Sequence, residues 1–356
     1  MAEKKGTSPM LTISSAPHVR VNDSVNKIMW TVVIALLPAL VYGIYIFGMK
    51  ALILTVAAVL SAVASEALFQ LVMKRPVQVF DGSAVITGLL VAMNVPPGAP
   101  VWMVVLGSAF AIIIVKQLFG GLGFNVFNPA LAARAFMLAS WPVYMTTGWH
   151  KFQGVSVLAS DVKNNLALPQ EAFDALTQAT PLGVLKEGPA LLAEYNITLD
   201  QLNSFIFSPE MIKSAFIGNV GGCIGETSAL LLLVGGIILL IRRVITWHIP
   251  VSFIGTVGIL AYLHYMVAGY PNAGMIALSH VATGGLFLGA FFMATDMVTS
   301  PVTARGMILF GAGCGAITFV IRVWGGYPEG VSYSILLMNA AVPLIDRFMK
   351  PKVFGT

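Results

Sequence analysis

The stretch AIIIVKQLFGG, residues 111–121, returns as AITFVIRVWGG at 316–326, a shift of 205 residues from Ala111 to Ala316. At the same shift VFNPALAARA (126–135) faces VSYSILLMNA (331–340). Internal similarity at one fixed offset marks two related halves. Composition says where those halves reside. Of 356 residues, 57% are hydrophobic and only 10% charged, which is too little polar surface to cover a soluble globule of this size. The chain belongs in a bilayer.

Runs able to cross a hydrocarbon core of about 30 Å, whole or as broken helices, fall near 28–47, 51–73, 84–96, 101–118 and 127–142. After a polar gap they resume near 215–241, 246–268, 276–296, 306–323 and 331–347. Equivalent positions are thus five spans apart, so the second copy must run through the membrane upside down, as in inverted-repeat transporters. The expected fold is an all-α polytopic membrane protein of about ten transmembrane helices, in two inverted five-helix repeats with broken helices and one extracytoplasmic insertion.

The N-terminal MAEKKGTSPM has no apolar run before Ile28 and lacks the plan of a cleavable signal peptide. With the N-terminus in the cytoplasm, Lys27, Lys74, Arg75, Lys116, Arg242, Arg243, Arg305, Arg347 and Lys350 fall inside, against Lys50 and Arg322 near short outer loops. The boundaries that follow are a cytoplasmic segment 1–27, a first membrane repeat 28–142, an extracytoplasmic loop 143–214, a second repeat 215–347 and a cytoplasmic tail 348–356. The expected location is the inner (cytoplasmic) membrane, with both termini cytoplasmic.

Other classes are set aside by what is missing. Cys223 and Cys314 are too few for a four-cysteine iron–sulfur cluster or a disulfide framework and read as buried thiols. The net charge of +5 is spread over short loops, without the basic stripe that nucleic acid would demand.

Four apolar segments are interrupted by Gly, Pro or Asn: GLLVAMNVPPGAP (88–100), GGLGFNVFNPALAAR (120–134), GNVGGCIGETS (218–228) and FMATDMVTSP (292–301). Irregular backbone at membrane depth survives only where protein, water or ligand satisfies its polar groups. They mark an interior site. The polar gap holds a different signal, FDALTQATPL (173–182), in which Thr180 immediately precedes Pro181. A residue before proline is pushed toward an extended backbone, which presents the Thr180 hydroxyl; a local Thr/Asp turn is the alternative use of the same residues.

Taken together, GLLVAMNVPPGAP, VKQLFGGLGFNVFNPALAARAF, FMATDMVTSP and DALTQATPL resemble the RnfD subunits of the Rnf complex, an ion-pumping ferredoxin:NAD oxidoreductase. They are similar also to the NqrB subunits of the sodium-pumping NADH:quinone reductase (the NqrB/RnfD family). The likeness runs from about Lys27 to Arg347, and the short segment before the first span favours RnfD. It implies an oxidoreductase subunit, a translocase not catalytic alone, relaying electrons between ferredoxin and NAD and coupling this to Na+ or H+ transport. It implies covalent FMN, attached through its phosphate to Thr180 by a separate flavin transferase. Here Gln178 replaces the glycine usual in that motif, which changes the loop and leaves the acceptor hydroxyl in place. It also implies a non-covalent riboflavin between the helices, which avoids burying a phosphate dianion.

Asn125, Asn128 and, less directly, Asn94 are the candidates to hold that riboflavin, because amides offer both donors and acceptors, and a spacing of three puts Asn125 and Asn128 on one helical face. An interhelical polar clamp is the alternative. Arg134, in an apolar run, either counters the FMN phosphate or the negative charge of a reduced flavin, or pairs with a neighbouring acid. Of the intramembrane acids Glu66, Glu226, Asp296 and Asp346, the resemblance points to Glu66, Asp296 and Asp346 for Na+ or H+ coupling; helix capping is the plainer use. Implied partners are the RnfA, RnfB, RnfC, RnfE and RnfG subunits, the transferase and the lipid bilayer. A quinone-reductase subunit and a stand-alone secondary transporter are the competing functions.

Overall fold

The computed structural model describes residues 24–146, 182, 209–218, 221–270, 272–327 and 329–350. Among them there is no strand; helices follow one another from end to end. α1 (Val25–Phe47) starts at Ser24, whose hydroxyl accepts from Lys27 N at 3.2 Å. It turns at Gly48, where φ is 73°, directly into α2 (Met49–Val72). α3 (Ser83–Met93), α4 (Val101–Gln117), α5 (Pro129–Ser140) and the short α6 (Pro142–Thr146) complete the first half.

The second half comprises α7 (Pro209–Ile217), α8 (Ala229–Ile241), α9 (His248–Val267), α10 (Ala273–Ala282), α11 (Leu286–Met293), α12 (Ala304–Trp324) and α13 (Val331–Phe348). α1, α2, α9 and α12 are long and apolar enough to cross a membrane alone, and α10 with α11, bent by 60°, makes a fifth such unit. α3, α4, α5 and α8 are apolar but shorter. Each expected run therefore contains a helix, and the expected break inside 215–241 separates α7 from α8.

Within the first half α2 packs on α3 and α4; within the second α9 packs on α10 and α12. Across the halves α1 lies against α8, and α5 against α13. Bulky apolar side chains such as Ile34, Val41, Leu60, Leu71 and Ile259 point outward. In water such a surface would be an aggregation liability; in a bilayer it is the lipid face. Cys223 and Cys314 are free and buried, as their apolar neighbourhoods suggest.

Two basic residues depart from the loop positions that the charge pattern assigns. Lys116 is buried at the end of α4, and Arg322 is buried in the last turn of α12. Both carry charge inside the protein, where it needs partners.

Close helix contacts rest on small residues, as membrane packing requires. At Gly235 of α8 a Cβ would collide with the Ala35 carbonyl of α1 and lie 2.9 Å from Phe292 Cζ, whereas Gly255 on α9 faces open space. Gly235→Val is expected to destabilise the protein by about 1–3 kcal/mol through overpacking, with Gly255→Ala as the neutral control. Melting of both variants in detergent, followed by size-exclusion chromatography after heating, reads the difference.

Candidate functional site

α3 ends because Pro96 disfavours helical geometry at Val95, and Asn94 becomes its last cap. The exposed carbonyls are satisfied from the other half: Gly225 N donates to Met93 O at 2.8 Å and Ile224 N to Val95 O at 3.1 Å. Gly225 permits that approach, since a Cβ there would lie 2.5 Å from Met93 Cβ. The Asn94 amide donates to Leu90 O at 2.6 Å.

Asn128 opens α5 with Pro129 behind it, a favoured helix start. Its Oδ1 accepts from Ala130 N and Leu131 N, and its Nδ2 crosses to Met293 O, at the end of α11, at 3.2 Å. With the Asn339 amide turned so that its nitrogen faces Thr299 O and Ile335 O, its oxygen accepts from Asn128 N at 3.2 Å. Asn128 thus acts as the interhelical clamp. Asn125 lies in the turn before α5, so the two asparagines do not share a helical face, yet both reach the same cavity. Pro129 fixes the helix start after both residues.

Arg134, in the middle of α5, gathers groups from three other segments. Nη1 donates to Asn94 Oδ1 at 2.8 Å and to Glu226 Oε1 at 3.2 Å; Nη2 donates to Glu329 Oε2 at 2.5 Å. Glu329 Oε1 accepts from Gly285 N at 2.9 Å, tying the cluster to the bend between α10 and α11. Arg322 donates to the carbonyls of His280 and Thr283, just before that bend. Two guanidinium groups and two carboxylates make a balanced set, as buried charges require. Arg134 is therefore paired with acids. Gly284, with φ of 73°, sits among these charges; a Cβ there would lie 2.5 Å from Glu329 Oε1 and 2.9 Å from Leu182 Cδ1.

A cavity lies on the other side of these clamps, between α3, α5, α8 and the end of α11. It holds about 890 Å³ of non-atom space, its solvent-open mouth included. Phe291, Phe292 and Ile86 give it apolar walls, and Asn125, Thr87 and Thr295 supply polar edges. The Thr87 and Thr295 hydroxyls donate to Ser83 O and Phe291 O, which leaves their oxygens to accept. An apolar slot edged by a few amides and hydroxyls suits a flat, uncharged heterocycle. It does not suit a phosphate: Asp296 on its wall would repel one, and the Lys116 charge is already held by Glu66. Asn94 is not on the wall of this cavity.

The candidate coupling acids differ in surroundings. Asp296 accepts from Val298 N at 3.2 Å, and from Thr299 Oγ1 and Asn125 Nδ2 at 3.4 and 3.5 Å. It is loosely held at the cavity wall. Glu66 is filled by N–H donors, with Lys116 Nζ at 2.8 and 3.0 Å and Gln117 Nε2 at 2.6 Å; a cation there would have to displace Lys116. Asp346 accepts from Val302 N at 3.2 Å and caps the loop before α12. Among the described residues no three His, Cys, Asp or Glu side chains form a metal-ligand group.

Thr180 lies outside the described residues. Leu182, two residues further along, is buried next to Gly284. Glu329 and the burial of Lys116 went unseen in the sequence, because YPEG reads as a turn and VKQ as the end of a span.

The family described as the NQR2, RnfD, RnfE family matches residues 12–355. The chain is 46% identical over 356 residues to the D subunit of the proton-translocating ferredoxin:NAD(+) oxidoreductase complex of Clostridium ljungdahlii, covering 100% of this chain and 99% of that relative. It is 47% identical over 345 residues to the D subunit of the Na(+)-translocating ferredoxin:NAD(+) oxidoreductase complex of Acetobacterium woodii, covering 97% and 95%. The D subunit of an ion-translocating oxidoreductase complex of Stutzerimonas stutzeri is 43% identical over 349 residues, covering 94% and 93%.

The Arg134 cluster has a measurable consequence. Arg134→Met leaves two buried carboxylates without their shared counter-ion, a loss of about 3–5 kcal/mol, seen as a fall in folded, extractable protein. Adding Glu329→Gln to that variant should restore part of the loss. An Arg134→Met protein that melts like the wild type would contradict the pairing.

Proposed function

The chain belongs to the NQR2, RnfD, RnfE family, and from that membership we propose that it is the D subunit of an ion-translocating ferredoxin:NAD oxidoreductase complex, carrying electrons through the membrane on two flavins. The observation that carries this reading is similarity along the whole chain to two such subunits, at 46% and 47% identity. Those relatives name different ions, H+ and Na+, at nearly equal identity, so similarity does not choose the ion. A multi-pass membrane chain acting within a complex is the coarse frame; the flavins give it a task.

The pairing of α1 with α8 and of α5 with α13, and the matching neighbours of α2 and α9, support two inverted five-helix halves in which the shorter helices complete ten spans. Lys74, Arg75, Arg242, Arg243 and Arg347 favour a cytoplasmic position for the loops and tail that carry them. The loop 143–214 then faces outward.

Thr180 is the FMN acceptor in this reading, and Leu182, buried against Gly284, anchors the chain beside the acceptor to the protein. The cavity takes the riboflavin, whose ring supplies one-electron carrier chemistry. Phe291, Phe292 and Ile86 exclude water from the ring. Asn125, Thr87 and Thr295 orient its polar edge. Asp296, held by three long hydrogen bonds, is the group whose ion or proton occupancy would respond to charge arriving in the cavity. The remaining subunits of the complex, RnfA, RnfB, RnfC, RnfE and RnfG, would deliver and accept the electrons.

Peptide mass spectrometry of the native chain is expected to find the FMN increment on the peptide containing Thr180. Thr180→Ala should lose it and Thr177→Ala should keep it; the reverse pattern would overturn the assignment.

A further inference from the structure

Lys116 and Glu66 form a buried ion pair beside the cavity, both within 3% exposure. An apolar pair of the same volume would often be at least as stable, so stability alone does not account for it. The local backbone is unusual too. From Ala111 to Gln117 the end of α4 widens into a π-helix, a geometry that recurs at functional sites. Lys116 and Gln117 consecutively donate to the same carboxylate.

The third hydrogen bond of Lys116 leads away from Glu66. Nζ donates to Ser83 Oγ at 2.6 Å, and Ser83 Oγ donates to Asp81 Oδ1 at 2.8 Å. Asp81 is half-buried at the end of the exposed loop that begins with Lys74 and Arg75. Lys116 and Ser83 both line the cavity, together with Asn125 and Asp296 on its other walls. The series runs without a gap from loop to cavity.

The second half lacks it. At the offset that aligns AIIIVKQLFGG with AITFVIRVWGG, Lys116 corresponds to Ile321 and Gln117 to Arg322. The helix there, α12, is regular throughout. The series links the cavity to the aqueous face that holds the loop from Lys74 to Asp81.

We propose that Asp81, Ser83 and Lys116, with Glu66 as the fixed counter-charge, are a proton path from that aqueous face to the cavity. The proposal rests on the reading that a reducible flavin occupies the cavity. Each electron that a neighbouring carrier places there is balanced by one proton from the Lys116 ammonium. The Glu66 carboxylate, still hydrogen-bonded by the Gln117 amide, then faces a neutral amine, and the unbalanced charge draws a replacement proton inward. The Ser83 hydroxyl reverses: it accepts from the protonated Asp81 and donates to the amine, and Asp81 takes its next proton from water. The groups facing Lys116 are Glu66 from α2, Gln117 from its own helix, Ser83 and Asp81 from the start of α3, and Asp296 across the cavity.

The test uses the purified native complex, reduced in a stopped-flow instrument with pre-reduced ferredoxin, an electron donor that releases no proton, with flavin absorbance and a pH-indicator dye read together. Ser83→Ala breaks the link and leaves the Lys116–Glu66 pair; Ser83→Thr keeps the hydroxyl; Asp81→Asn keeps an acceptor that cannot carry a proton. Proton uptake should slow by about a hundredfold in Ser83→Ala and Asp81→Asn, in the range of general acid–base participation, and remain fast in Ser83→Thr. Equal uptake rates in all four proteins, with riboflavin recovered by acid extraction from each, overturn the path alone. A wild-type complex without extractable riboflavin overturns the reading of the cavity and the path with it.

Discussion

A helix that stops inside a bilayer leaves carbonyls and amides that lipid cannot satisfy, and this chain stops helices there repeatedly. Two of these breaks are closed by the other half. The carbonyls past α3 accept from Ile224 and Gly225; the carbonyl at the end of α11 accepts from Asn128. Neither half meets its own backbone demands, so the two fold against each other. Glycine at 225 follows from the same constraint, because a side chain there would strike Met93.

Those breaks also place the chemistry. The bend after α10 brings Gly285 to Glu329, and the end of α3 brings Asn94 to Arg134. On one side of the clamps opposite charges meet each other, and Leu182 is buried beside them. On the other side they leave an apolar slot with a few polar edges. In the proposed reading the phosphate-free flavin would take the slot, because Asp296 on its wall would repel a phosphate. The Lys116–Glu66 pair then stands at a wall of the slot that reaches the loop before α3.

Much of this was legible in the sequence. Hydrophobic runs located the helices to within a few residues, and Pro and Gly located the breaks, since both act through the local backbone. Asn94, Asn128 and Arg134 stood out because polar groups in apolar runs need partners. The pairings themselves were not legible: Arg134 meets Glu329 across 195 residues and Lys116 meets Glu66 across 50; nothing local marks Glu329, and nothing local joins Glu66 to Lys116. Charge counting failed for Lys116 and Arg322 for the same reason, since a cation one turn from a loop looks alike whether it faces water or a buried carboxylate. Helical spacing misled at Asn125 and Asn128, where Pro129 sets the helix start after both.

The central claim is that one chain carries two flavins in separate environments, one tethered outside and one held between the halves. The direct measurement is a flavin count on the purified native complex, by acid extraction followed by ultraviolet fluorescence of the denatured chain in a gel. The account predicts riboflavin in the extract and fluorescence remaining on the band, in equal molar amounts per chain. A non-fluorescent band together with an extract free of riboflavin would contradict it.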